Sequence, residues 1–187
     1  MMKPLVIFDI DKTLLIDDLP FCLYKNHIFK KNFLKSAFPY ALFFFICFHI
    51  TRWKIRRRFE YWYETIIDGD RIAQFIISSN IFNEKICKRV EKYLYLGYSI
   101  YFVTAAPTSI SEKIKTLFDV EIIGSETFNG FIFSDLMGKK EDKVYKRLSK
   151  DHNIIAIYSD SIADHSSLAR YNYLVTDQSI NICRNLS

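Results

Sequence analysis

Glycine and proline are scarce in this sequence of 187 residues, which has 5 and 4 of them respectively. Long flexible linkers are therefore not expected, and the length suits one domain with a modest insertion. The four cysteines lie far apart without a C-x-x-C pair, and the first apolar run ends early, at Asp9. A disulfide framework, a zinc site and a secretory signal are not expected, which favours a cytoplasmic location.

An uncharged, phenylalanine-rich segment covers residues 36–51, but it lacks the length of a membrane span. It has 16 residues and contains Pro39, whereas a spanning helix needs about 20 apolar residues. Basic residues flank it on both sides: Lys25, Lys30, Lys31 and Lys35 before it, and Arg52, Lys54, Arg56, Arg57 and Arg58 after it. This pattern favours an element on an anionic membrane surface, the alternative being a helix buried against the core.

Short apolar runs alternate with helical patterns along the rest of the chain. The runs predict buried strands at Leu5–Phe8, Ser99–Val103, Val120–Ile123, Ile154–Tyr158 and Tyr173–Val175. Helical spacing of apolar residues predicts helices over 83–96, 109–118, 142–150 and 163–170. The alternation predicts an α/β fold with a central parallel sheet flanked by helices.

Two segments depart from that alternation. Asn129-Gly130 lies between aromatic flanks, which predicts an antiparallel hairpin. Residues 15–81 read as mostly helical, so we interpret them as a cap inserted between core segments 1–14 and 82–187.

Two acids follow the first predicted strand directly, in the run Asp9-x-Asp11-x-Thr13. The carboxyl ends of parallel strands form the ligand crevice of an open α/β sheet. Carboxylates spaced in this way can share Mg²⁺, and an aspartate can also act as a nucleophile toward phosphorus. The alternative is a turn with two solvated acids.

Further polar residues follow later strands. Thr104, with the small Ala105 behind it, could bind a phosphoryl oxygen, although a helix cap is the alternative. A lysine among Lys139, Lys140 and Lys143 could neutralise phosphate charge from a helix start. We choose Lys143, because Val144 and Leu148 then set a buried face beside it.

The last polar group is Asp160-x-x-x-Asp164, after the fourth predicted strand. Asp160 could complete a metal site. Asp164, one helical turn later, could orient the lysine or a metal-bound water, the alternative being a helix N-terminal acid favoured by the dipole.

Four elements thus follow one another along the chain: the Asp9–Asp11 run, Thr104, the lysine, and the Asp160–Asp164 pair. In this order they resemble the haloacid dehalogenase (HAD) superfamily, and the likeness covers the chain outside residues 15–81. The resemblance implies a Rossmann-like core. The helical insertion between the first two elements is similar to the C1 cap of subclass IB, which includes the phosphoserine phosphatases.

The resemblance also implies roles for single residues. Asp9 would be the nucleophile, Asp11 the general acid and base, and Thr104 a phosphoryl-binding residue. Lys143 would stabilise the nucleophile and the developing charge. Mg²⁺ would be bound by Asp9, by Asp11 through its backbone carbonyl and by Asp160, with Asp164 in support.

Two positions depart from the family pattern. Lys12 and Ser159 stand where the family commonly has glycine. Neither change removes a catalytic group, so we expect an active enzyme.

The phenylalanine-rich segment with its basic flanks is similar to the cap of the bacterial phosphatidylglycerophosphatase C family. That likeness implies a phosphorylated lipid substrate and work at the inner face of the cytoplasmic membrane. Two rivals stay open: a phosphatase of small soluble metabolites, and a non-catalytic protein that binds membranes or nucleic acid through residues 56–58. Because all the acidic positions are present, we expect an enzyme and no nucleic-acid partner.

Overall fold

A computed structural model describes residues 2–19, 22, 69–128, 131–177 and 179–183. Within these residues, seven strands form one sheet. They are β1 Lys3–Phe8, β2 Ser99–Pro107, β3 Glu121–Phe128, β4 Phe131–Ser134, β5 His152–Ser159, β6 Tyr171–Val175 and β7 Ile180–Cys183. Their order across the sheet is β4-β3-β2-β1-β5-β6-β7.

The five middle strands of this sheet are parallel. β1 pairs with β2 and β5, and the parallel pairing continues outward to β3 and β6. β4 and β7 add antiparallel edges, the first of them forming the predicted hairpin with β3. All five predicted strands are present, and the α/β fold with a mostly parallel sheet is confirmed.

β1 lies in the middle of the sheet because both of its faces are apolar. Successive side chains of a strand point to opposite faces. Val6 and Phe8 belong to one core cluster, Leu5 and Ile7 belong to the other, and all four are fully buried. The residue after this strand, Asp9, is thereby held at the centre of one sheet edge.

Helices cover both faces of the sheet. They are α1 Gly69–Ser78, α2 Glu84–Tyr95, α3 Thr108–Ser111 with a 3-10 turn at Glu112–Thr116, and α4, which comprises Glu141–Tyr145 and Lys146–Leu148. α2 starts where Asn83 caps it by accepting a hydrogen bond from the Lys85 N–H at 3.1 Å. α3 is shorter than predicted, since the Ser111 hydroxyl bonds the backbone carbonyl of Pro107 four residues earlier, a contact that disfavours a regular helix.

The helix predicted over residues 163–170 is wrong. The structure has only a 3-10 turn at Ile162–Asp164, followed by irregular turns. Two serine hydroxyls explain the difference, because Ser161 accepts from the Ala163 N–H and Ser166 from the Leu168 N–H. Such local bonds offer the backbone an alternative to the helical ladder.

The predicted cap falls mostly outside the described residues. Its first residue, Leu15, forms an isolated antiparallel bridge with Phe82, the first residue after it. The phenylalanine-rich segment 36–51 and the basic residues around it lie outside the described part of the chain, so their role stays a prediction. In the part that is described, no helix combines the length and apolar character needed to cross a membrane.

Candidate active site

The ends of β1, β2 and β5 bring the predicted functional residues to one edge of the sheet. Phe8 is in register with Phe102 of β2 and with Tyr158 of β5. The next residue, Asp9, donates its backbone N–H to the Tyr158 carbonyl at 2.8 Å. Side chains just beyond Phe8, Phe102 and Tyr158 therefore lie together.

A buried lysine joins two of the acids. The Lys140 Nζ lies 2.8 Å from Asp9 Oδ1 and 2.7 Å from Asp164 Oδ2. The Ile10 backbone N–H also donates to Asp9 Oδ1, at 2.8 Å. Only 4% of the Lys140 side chain is exposed, so its charge acts directly on these carboxylates with little solvent screening.

The lysine predicted for this position, Lys143, is the wrong one. Its Nζ donates to Ser134 Oγ at 3.1 Å on the exposed side of α4. The physical reason is helical periodicity: residues four apart share a face, and Lys140, Val144 and Leu148 are all buried. Lys139, the third candidate, is exposed. The spacing of Lys140 from Val144 was the signal in the sequence that could have identified it.

Asp11 connects the first strand end with the second. Its Oδ2 accepts from the Thr104 hydroxyl at 3.2 Å, and its Oδ1 accepts from the Leu19 backbone N–H at 2.8 Å. The Thr104 Oγ1 in turn accepts from the Ala106 N–H at 3.0 Å. Thr104 thus lies beside Asp11, and its hydroxyl also bonds the backbone two residues further along β2.

The other three predicted residues are Ala105, Asp160 and Asp164. The Ala105 carbonyl accepts from the Ser125 hydroxyl at 2.8 Å, which holds the last part of β2 against β3. Asp160 follows β5 and is partly buried. Asp164 contacts the Lys140 ammonium, and its role in orienting that lysine stays a prediction.

Burial shifts the pKa values of this cluster. It raises the pKa of Asp9 to about 7, although the Lys140 charge opposes the shift. Burial also raises the pKa values of Asp11 and Asp160 above the usual range. Burial alone would lower the pKa of Lys140, but Asp9 and Asp164 raise it overall, so the lysine keeps its proton. The raised pKa of Asp11 favours a carboxyl that can carry a proton.

The chemistry of these residues fits a magnesium ion. The carboxylates of Asp9 and Asp164 contact the one buried lysine that the structure describes, and those of Asp11 and Asp160 interact with its charge, so the acids of the cluster outnumber its cation. Among the described residues no group of three or more His, Cys, Asp or Glu side chains is arranged to hold a metal. Mg²⁺ does not need one, because it binds through one or two carboxylates together with waters and phosphate oxygens.

Stacked aromatic rings pack beside the carboxyl ends of β1 and β5. Tyr158 stacks between Phe8, at a centroid distance of 4.7 Å, and Tyr173, at 4.4 Å. Its hydroxyl lies 3.1 Å from that of Tyr93 and accepts from Arg89 Nη1 at 3.3 Å, which ties α2 to β5. The rings thereby fix the backbone at Phe8, directly before Asp9, and at Tyr158, two residues before Asp160.

Lys12 has a backbone conformation that glycine adopts more easily. Its φ is 54°, the left-handed region. Its Nζ lies 2.8 Å from Asp18 Oδ2, and both side chains are about half exposed. An exposed ion pair of this kind stabilises a protein by at most about 1 kcal/mol.

We expect Lys12→Gly to be more stable than Lys12→Ala by about 1 kcal/mol, since both lose the ion pair and only alanine keeps the strain of a Cβ at positive φ. The free energies of unfolding from urea titrations of the two variants test this. Equal stability, or a more stable alanine variant, would show that the backbone at this position is not left-handed.

Residues 6–169 match the family model of the haloacid dehalogenase-like hydrolases. Among curated proteins, no significant match to the sequence is found.

Two solved structures share the fold. A protein of unknown function from Bordetella pertussis Tohama I is 14% identical, with a TM-score of 0.60 over 88% of this chain and 85% of that chain. A phosphoserine phosphohydrolase-like protein from Francisella tularensis subsp. tularensis SCHU S4 is 16% identical, with a TM-score of 0.57 over 92% and 86%.

Proposed function

Because the chain belongs to the haloacid dehalogenase-like hydrolase family, we propose that it is a phosphatase that hydrolyses phosphomonoesters through an aspartyl-phosphate at Asp9. The observation that carries the proposal is the contact of Lys140 with both Asp9 and Asp164, beside the Asp11–Thr104 pair. A buried cation next to a carboxylate is what an attack on an anionic phosphoryl group requires.

The reaction has two steps. In the first, an Asp9 oxygen bonds to phosphorus, the bond from phosphorus to the substrate oxygen breaks, and Asp11 donates its proton to that leaving oxygen. In the second, Asp11 takes a proton from water, the water oxygen bonds to phosphorus, and the bond to Asp9 breaks. Inorganic phosphate leaves, and Asp9 and Asp11 return to their starting states.

Three other groups assist this sequence. The Lys140 ammonium stabilises the charge that develops on the phosphoryl oxygens, and Asp164 holds it in place at 2.7 Å. Thr104, within β2, has the hydroxyl that would bind a phosphoryl oxygen. It keeps Asp11 in position until substrate arrives, through the 3.2 Å hydrogen bond between their side chains.

We assign Mg²⁺ to the carboxylates of Asp9 and Asp160 and to the backbone carbonyl of Asp11, with Asp164 in support. When bound, the metal would neutralise charge on the transferring phosphoryl group. The support for this assignment is that, among the described residues, four acids, Asp9, Asp11, Asp160 and Asp164, interact with a single buried lysine.

For the substrate we propose a lipid phosphate such as phosphatidylglycerophosphate, hydrolysed at the inner face of the cytoplasmic membrane. The support is the uncharged segment 36–51 with its Phe43-Phe44-Phe45 run and the basic residues on both sides. Phenylalanine and arginine together suit an anionic bilayer, where each cation near the surface contributes about 1 kcal/mol. No nucleic-acid partner is part of this proposal.

A phosphatase of small soluble metabolites is the second candidate. The observation in its favour is the shared fold with the phosphoserine phosphohydrolase-like protein from Francisella tularensis. The two candidates use the same catalytic residues and differ only in what residues 15–81 recognise.

A panel of phosphate-release assays in the presence of Mg²⁺ distinguishes the lipid phosphatase from the phosphatase of soluble metabolites. Phosphatidylglycerophosphate in anionic vesicles is compared with phosphoserine and a sugar phosphate in solution. We expect the highest kcat/KM for the lipid, loss of release when EDTA removes the metal, and recovery when Mg²⁺ is returned.

Three other results of the panel would contradict parts of the proposal. Faster release from phosphoserine or the sugar phosphate would support the second candidate. Release that persists unchanged in EDTA would contradict the magnesium assignment. No release from any substrate would reject the phosphatase proposal.

A further inference from the structure

Ser159, the last residue of β5, lies among the catalytic carboxylates but has no role in the reaction described above. Its side chain is fully buried, with an exposed fraction of 0%. A polar group in such a place needs hydrogen-bond partners, because leaving it unpaired is costly.

The partners of this hydroxyl are two carboxylates and one backbone amide. Ser159 Oγ lies 3.1 Å from Asp164 Oδ2 and 3.4 Å from Asp9 Oδ2. It also accepts from the Ser161 N–H at 3.1 Å. A serine has one hydrogen to donate, so at any moment it goes to one carboxylate or to the other.

The two oxygens of Asp9 are held unequally. Oδ1 receives both Lys140 and the Ile10 N–H, each at 2.8 Å. Among the described residues, Oδ2 accepts from one donor, the hydroxyl of Ser159. Donors on both oxygens define the plane of a carboxylate, whereas donors on one oxygen leave it able to turn.

We propose that Ser159 is a positioning residue that orients the Asp9 carboxylate for attack on phosphorus. This inference rests on the proposed function, in which Asp9 is the nucleophile. Because Asp164 offers a second acceptor, the hydrogen can turn to Asp164 when Asp9 becomes esterified, and no buried donor is left unpaired. The hydroxyl is a feature of this chain, at a position where the family commonly has glycine.

The chain supplies a matched control in Ser166. That serine is also buried, with an exposed fraction of 3%, and its hydroxyl accepts from the N–H two residues later, Leu168, at 3.1 Å. This repeats the contact of Ser159 with Ser161. None of the hydrogen bonds of Ser166 in the described structure goes to a carboxylate.

The test compares Ser159→Ala and Ser166→Ala with wild type, using p-nitrophenyl phosphate and Mg²⁺. Loss of a hydrogen bond to a charged group should lower the kcat of Ser159→Ala by about tenfold to a hundredfold. KM should stay within about threefold, because positioning of the nucleophile acts on the chemical step rather than on binding. Ser166→Ala should keep its kcat within about twofold, as expected for a change outside the reacting groups.

Thermal unfolding shows whether both variants are folded. A kcat of Ser159→Ala equal to that of Ser166→Ala would overturn the proposal. Should wild type fail to hydrolyse any phosphomonoester, the proposed function fails, and crystal structures of wild type and Ser159→Ala decide the positioning role. An Asp9 carboxylate that turns away in the variant supports it, and one that stays within about 0.5 Å contradicts it.

Discussion

Asp9→Asn is expected to lower the rate of phosphate release by at least about ten-thousandfold, the scale seen when a catalytic nucleophile is removed. An amide is nearly the same size as a carboxylate, and its oxygen can still accept from the Ile10 N–H and from Lys140. The variant should therefore fold, and its loss of activity should reflect the missing nucleophile.

The measurement is steady-state phosphate release, with circular dichroism as a check on folding. Asp151→Asn is a matched control, because it makes the same chemical change at an exposed position. It should retain wild-type activity. A folded Asp9→Asn variant with substantial turnover would show that another group attacks phosphorus.

Lys140→Met should lower kcat by about a hundredfold to a thousandfold, the effect expected for loss of one preorganised charge-stabilising group. It should also destabilise the fold by about 3–5 kcal/mol, since breaking a buried ion pair leaves its partners uncompensated. Those partners are Asp9 and Asp164, at 2.8 and 2.7 Å from the lysine.

Lys143→Met is the control on the same helix. Its lysine is exposed and contacts Ser134, so stability should change by no more than about 0.5 kcal/mol, and kcat should be nearly unchanged. Kinetics and urea titration of the two variants give both quantities. Equal losses of activity in the two variants, or a larger loss for Lys143→Met, would contradict the assignment of the active-site lysine.

The contrast between these two lysines shows what the sequence could and could not predict. The strands were predictable, because the short apolar runs before Asp9, Thr104 and Asp160 mark buried parallel strands, although β2 continues past Thr104 to Pro107. Which lysine points into the site depends on the phase of the helix, and one neighbouring apolar residue does not define that phase. Lys140 lies four residues before Val144 and shares its buried face.

Two further misses have local causes. The helix expected over 163–170 is replaced by turns in which serine hydroxyls bind nearby backbone N–H groups. β7, Ile180–Cys183, was not expected because its side chains are exposed or only partly buried. This strand is held by backbone pairing with β6, which leaves little hydrophobic pattern in the sequence.

Ser159 illustrates a different limit. Its position before Asp160 and near Asp164 was visible in the sequence, but the other carboxylate that its hydroxyl contacts, that of Asp9, is 150 residues away. Only the register of β1 against β5 brings Asp9 next to it. The substrate-recognising segment 15–81 stays a prediction, and the catalytic proposal does not depend on it.

The most direct test of the central claim is to trap the phosphorylated enzyme. The enzyme is mixed rapidly with substrate and Mg²⁺, quenched in acid and reduced with borohydride, and the modified residue is located by peptide mass spectrometry. The proposed mechanism predicts modification at Asp9, and none in Asp9→Asn. Modification at another residue, or an identical pattern in the variant, would contradict it.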